Sequence, residues 1–193
     1  MKDRNILLFG EKCMKYIAHR EEDREQLLLD HLTGTAEKAK EFAEVFGKGE
    51  WGYCCGMLHD LGKYSDKFQR RIRGEDIKVD HATAGARVCL ELGGMYPFME
   101  YCIAGHHAGL PDAGGKSDAV NSPTLNGRRK KKIEDFQAYK KEICIPELKT
   151  VPIDINKTTN AEFSLGMFMR MLYSCLVDAD FLDTEEFMVN GNT

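Results

Sequence analysis

The amino-acid sequence predicts an all-α protein, a bundle of helices around one core. Apolar residues recur at spacings of three and four along most of the 193 residues, the period of a helix with one buried face. Alternating apolar and polar runs, the mark of strands, are nearly absent. Residues that start or stop helices punctuate the pattern, among them Gly62, Gly74, Asp80, the Gly93-Gly94 pair and Pro97.

The first helix is expected from about Asp23 to Phe46, where Leu28, Leu32, Ala36, Ala39, Phe42, Ala43 and Phe46 form a stripe. A second runs from Glu50 to about Leu61, with Trp51, Cys54, Cys55, Leu58 and Leu61 inward, and stops at Gly62. A third carries Phe68 and Ile72 on one side and ends near Gly74. Asp80 is a good N-cap for a fourth, which ends at Gly93-Gly94. Pro97 suits the first turn of a fifth, running to about His107.

A polar, glycine-rich passage follows from Gly109 to Gly127, then a charged helix over about Lys130 to Ile143. The stretch IPELKTVPIDINKTTN is irregular. The last helix, from about Ala161 to Leu182, is apolar on nearly every side and is expected to be central. The whole, residues 1–193, reads as one domain with a long insertion over about 108–160 between the fifth helix and the last.

The net charge of −4 gives no general attraction to nucleic acid or membranes, so any such contact rests on local patches. Seven cysteines, at 13, 54, 55, 89, 102, 144 and 175, contain no Cys-x-x-Cys pair. That argues against a zinc ribbon and against a secreted disulfide scaffold, and favours a reducing cytoplasm. The apolar run in MKDRNILLFGEKC is too short for a signal peptide or a membrane span.

One stretch resists the bland reading. In GMLHDLGKYSDKFQ, residues 56–69, His59 and Asp60 close an apolar run where the core should be. Burying them is costly unless something satisfies them, and a metal ion is one answer. His31 lies beside the Leu28/Leu32 stripe, and His81 shares a helix face with Gly85, Val88 and Leu92. His106 and His107 continue the stripe of Met99, Cys102 and Ile103, while Asp178 and Asp180 sit in the most apolar helix. His19, in AHREEDRE, reads as a solvated surface residue. A lone core histidine has a mundane explanation. Five histidines and at least two aspartates converging from five helices do not.

Imidazole and carboxylate ligands without thiolate suit Mn, Fe, Co, Ni or Zn better than a magnesium-only site. Adjacent His106 and His107 project about 100° apart on a helix and serve two neighbouring ions better than one. Asp60 is placed to bridge them. Two ions roughly 3.5–4 Å apart suit in-line displacement at phosphorus by an activated water, so the expected activity is phosphoester hydrolysis.

These residues resemble the HD superfamily of metal-dependent phosphohydrolases. The stretches AHREEDREQLLLDHLTGTAEKA, GMLHDLGKYSDKFQRRI, DHATAGARV, IAGHHAGLPD and RMLYSCLVDADFLDTE are most similar to the HD nuclease domain of the CRISPR type I signature helicase-nuclease, subtype I-C. That resemblance implies an HD-type helical bundle with a dinuclear metal site in its core. The implied ligands are His59, Asp60, His81, His106, His107 and Asp180, with two divalent ions (Mn, Co, Ni or Fe, and Mg allowed). Asp60, Lys63 and His31 are the implied catalytic residues, His31 as a ligand or just behind the ligands and Lys63 on a phosphate. The Ala-Asp pair of the family selects Asp180; Asp178 points about 200° away on a helix.

The implied substrate is single-stranded DNA, exposed by a crRNA-guided surveillance complex. No G-x-x-x-x-G-K-[ST] loop is present, so a superfamily 2 helicase is expected in cis or in trans. The tail FMVNGNT reads as the start of a linker, which favours a domain of a longer protein.

Two basic patches suit such a strand: Lys63 to Arg73, net +4, and Arg128 to Lys141, net +5. Lys63, Lys67, Arg70, Arg71, Arg128 and Arg129 are the candidate nucleic-acid contacts, with Phe136 and Tyr139 placed to stack on bases. Three other readings compete: an HD-type nucleotidase or cyclic-nucleotide phosphodiesterase, a di-iron protein on a similar scaffold, and a metal-stabilised module without catalysis.

Overall fold

Seven α-helices make up most of residues 15–189, the part described by the computed structural model, in keeping with the sequence. In order they are α1 (Leu28–Glu44), α2 (Gly49–Leu58), α3 (Asp66–Ile72), α4 (Ala82–Leu92), α5 (Pro97–Gly105), α6 (Leu125–Arg129) and α7 (Ala161–Val189). A 3-10 turn, Leu61–Tyr64, links α2 to α3. The N-terminal apolar run, Cys13 and the tail beyond Val189 lie outside the described residues. Among the described residues no helix is long and apolar enough to cross a membrane.

The core forms where α1 packs on α2 and α7, and α4 on α5. Leu32, Trp51, Leu58, Leu61, Ile103, Leu172 and Leu176 are fully buried there. Glycine sets the spacing of α1 and α2: a Cβ on Gly56 would lie 2.5 Å from the Cα of Ala36. Trp51 packs edge-on against Phe168 of α7, with ring centroids 5.1 Å apart. Cys54, Cys55, Cys89, Cys102 and Cys175 are buried, as small apolar side chains would be, and Cys144 is exposed.

The chain between α5 and α7 is irregular but tied down. Trp51 Nε1 donates to Thr150 Oγ1 at 3.1 Å, and Glu50 accepts the Thr150 N–H at 2.6 Å. The Tyr64 hydroxyl donates to Glu142 at 2.8 Å.

Three expectations are corrected. The first helix begins at Leu28, not Asp23, because an antiparallel hairpin precedes it: β1 (Ile17–Glu21) and β2 (Arg24–Leu27), pairing His19 with Gln26 and Arg20 with Glu25. Gln69 anchors this hairpin, accepting from the Ile17 N–H at 3.0 Å and donating to the Ile17 carbonyl at 2.9 Å.

The charged helix over Lys130 to Ile143 does not form. Arg128 and Arg129 belong instead to the short α6, and Asp135 accepts the Gln137 N–H at 3.0 Å to open a 3-10 turn, Gln137–Lys141. Phe136 and Tyr139 are then buried, each 4% exposed, with rings stacked 5.8 Å apart. They are core residues and cannot stack on bases. Finally, α7 is apolar all round but buried on one side only, leaving Phe163, Met167, Met171 and Phe181 exposed.

Candidate metal centre

His59 and His106 share one local design. Each follows the last residue of a helix, α2 and α5 respectively. Helix ends leave carbonyls without intrahelical partners. The Nδ1 of His59 donates to Gly56 O at 2.6 Å, and that of His106 to Ile103 O at 2.7 Å. These bonds fix the tautomer and leave each Nε2 free to accept, the usual arrangement of a metal-ligating histidine.

His31, from α1, is held by a side chain instead: its Nδ1 lies 2.8 Å from Asp183 Oδ2 on α7. His81 precedes α4 rather than lying on its face, a correction to the expected helical placement. The Gly62 of the HD turn explains its position. A Cβ on Gly62 would sit 2.5 Å from the Cα of His81, so only glycine lets this backbone come so close.

Asp60 joins the ligand groups. Its Oδ1 lies 3.4 Å from His106 Nε2 and 3.6 Å from His81 Nε2. Its Oδ2 lies 3.5 Å from the Nε2 atoms of both His31 and His59. Asp180 Oδ1 closes the second group, 3.4 Å from His31 Nε2 and 3.5 Å from His59 Nε2. The result is two sets, Asp60-His81-His106-His107 and His31-His59-Asp60-Asp180, with ligand atoms in each within 4.8 Å of one another. Asp178 is on the exposed side of α7, beside Ser174.

Metal ions suit this cluster on its own chemistry. His31 Nε2, His59 Nε2 and His106 Nε2 are buried with no hydrogen-bond partner, as are both Asp60 oxygens. A core does not leave so many polar atoms unmatched without a ligand. Lys63 Nζ is 2.7 Å from Asp60 Oδ2, an ion pair off the hydrogen-bonding direction. Burial alone would raise the Asp60 pKa, yet Lys63, His59 and His81 hold it well below the ordinary carboxylate range. Burial likewise opposes the charge on Asp180, and His59, with its Nε2 3.5 Å away, outweighs it and holds the carboxyl below its ordinary range. Burial and neighbouring His106 push His107 down to about 4, which favours the neutral imidazole that metal binding requires.

The sequence missed three residues here. His19 is not solvated: it stands edge-on to His31 with ring centroids 4.7 Å apart, and its Nε2 accepts from Lys63 Nζ at 3.2 Å. Its Nδ1 donates to Gln26 Oε1 at 2.8 Å, and Gln26 in turn donates to Asp183 Oδ2 at 2.8 Å. His19, Gln26 and Asp183 therefore link the hidden faces of Lys63 and His31. Burial and the charge of Lys63 push His19 down to about 4. Asp183 had a signal, since it falls three residues after Asp180 on the same helix face; His19 and Gln26 had none.

The basic residues divide sharply. Lys63 is buried against Asp60, Lys67 pairs with Glu134, and Arg70 pairs with Glu75. Arg129 is clamped to the buried Glu100, and Arg128 lies beside that pair. Arg71 faces the groove above the centre.

A helical bundle that gathers two histidine-carboxylate sets around one buried aspartate has the donor set of a metal-binding protein and suits metal-dependent phosphoester hydrolysis. Residues 28–149 match the HD domain family, and the chain belongs to that family of metal-dependent phosphohydrolases. No curated protein sequence matches the chain.

Proposed function

We propose that this protein is a two-ion phosphodiesterase that cuts single-stranded DNA. The observation that carries the two-ion part is Asp60, whose separate oxygens face separate sets of ligands. In this reading His81, His106, His107 and Asp60 hold one ion, and His31, His59, Asp180 and Asp60 hold the other. Divalent ions bound there would lower the pKa of water and offset charge developing on the phosphate.

The protein's own groups do the rest. The Gly56 and Ile103 carbonyls keep the His59 and His106 rings oriented, and Asp183 does the same for His31. Lys63, held between Asp60 and His19, places a buried positive charge where a phosphate oxygen would arrive. The exposed Arg71 gives the strand an electrostatic approach.

The choice of single-stranded DNA rests on the motifs HD-x-G-K, D-H-x-x-A-G-A and G-H-H-x-G, which resemble the CRISPR type I nuclease domain. The same likeness suggests a cytoplasmic role in interference. A surveillance complex would expose the strand, and a superfamily 2 helicase, in cis or in trans, would feed it.

Circular single-stranded DNA, incubated with Mn, Co, Ni, Mg or EDTA, tests the proposal, with Asp60→Ala run alongside. Loss of circles with metal, absent in EDTA and in the variant, is the expected result. Intact circles alongside hydrolysis of free nucleotides would assign the centre to a nucleotidase instead.

A further inference from the structure

The centre opens onto a groove of about 340 Å3 at the seam between the β1–β2 hairpin and α3. Its lining includes Lys63, His81 and His107, so it gives a substrate a route to the cluster. No carboxylate lines it. Two arginines do, Arg20 from β1 and Arg71 from α3, and both are exposed.

These two differ from the basic residues around them. Lys67 and Arg70 are turned to Glu134 and Glu75, and Arg73 donates to the Gln69 carbonyl and side chain. Among the described residues no hydrogen bond or ion pair engages the side chain of Arg20 or Arg71, although the Arg71 carbonyl accepts from the Gly74 N–H. Arg20 pairs with Glu25 through the hairpin backbone, but no ion pair joins their side chains. Two unpaired guanidiniums facing one acid-free groove repel each other unless an anion lies between or beside them. The hairpin that carries Arg20 is also firmly set. Gln69 ties its start to α3, and Arg24 donates to the Phe187 carbonyl at 2.8 Å and the Met188 carbonyl at 3.1 Å at the end of α7.

We infer that Arg20 and Arg71 hold the phosphate next to the one being cut. The groove then selects a chain of phosphodiesters over a substrate with a single phosphate. Guanidinium suits this task because its planar fork meets a phosphate with two parallel hydrogen bonds. The inference rests on the phosphodiesterase reading and adds to it the residues that sense polymer.

The test compares two substrates on the Mn-loaded protein: a single-stranded oligonucleotide, and bis(p-nitrophenyl) phosphate, a diester with no neighbouring phosphate. The Arg20→Ala/Arg71→Ala double variant is expected to lose about 10–100-fold in kcat/KM on the oligonucleotide, mainly through KM. The loss on the small diester should be at least about ten-fold smaller. Replacing both by lysine should restore part of the oligonucleotide loss, since charge returns without the fork. Equal losses on the two substrates, or none on the oligonucleotide, would overturn the inference. Wild-type protein inactive on both substrates with every metal would instead sink the phosphodiesterase reading on which it stands.

Discussion

Asp60 is a fully buried carboxylate beside four histidines and a lysine, a structural liability unless a ligand offsets it. Its neighbours His59, His106 and His107 were legible in the sequence because each sits at the end of an apolar run, where the pattern itself marks the anomaly. His19 was not legible. Its local sequence is charged, and only the hairpin register turns its ring toward Lys63. Asp183 acts behind His31, and partners of this kind typically matter 10–100-fold for metal affinity. Asp183→Ala is therefore expected to weaken Mn binding by about that factor in calorimetric titration. Unchanged affinity would mean that His31 needs no support from α7.

The HD turn works because short elements are locked by one another. Gly62 admits the His81 backbone, and Gln69 ties the hairpin to the Lys63 carbonyl at 2.8 Å. Gly62→Ala should push His81 away and destabilise the fold by about 1–3 kcal/mol through overpacking. The expected signature is a lower urea midpoint together with weakened binding of one ion only; equal loss at both ions would point to a general collapse of the site. The helices α1 to α5 could be read from periodicity and stop residues. The 130–143 segment could not, because Phe136, Tyr139 and Ile143 are spaced for a helix yet bury themselves from a 3-10 turn. Spacings of three fit both geometries, and the Asp135 cap on the Gln137 N–H opens the 3-10 turn.

Across the whole molecule, the proposed ligands come from α1, the ends of α2 and α5, the start of α4 and from α7, so ions bound at the centre would fasten the bundle together. Binding only to the folded state stabilises it by mass action. Free Mn at about 100 times its dissociation constant adds about 2.7 kcal/mol, which for a domain of this size raises Tm by about 5–10 °C. Asp60→Ala should abolish most of that rise, and a rise of wild-type size in the variant would place the stabilising ions elsewhere. The fold class was legible because helical periodicity is a property of whole segments. Periodicity did not show which face of α7 joins the site, because a helix apolar all round hides it; the Ala-Asp pair of the resemblance selected Asp180, which the structure brings to the cluster.

The most direct check on the centre is a crystal of the Mn-soaked protein with diffraction collected at the Mn absorption edge. Two anomalous peaks flanking the Asp60 carboxylate, one toward His81, His106 and His107 and one toward His31, His59 and Asp180, are the predicted result. A single peak would remove the bridging role of Asp60. No peak at the cluster, with Mn bound elsewhere on the chain, would contradict the account at its root.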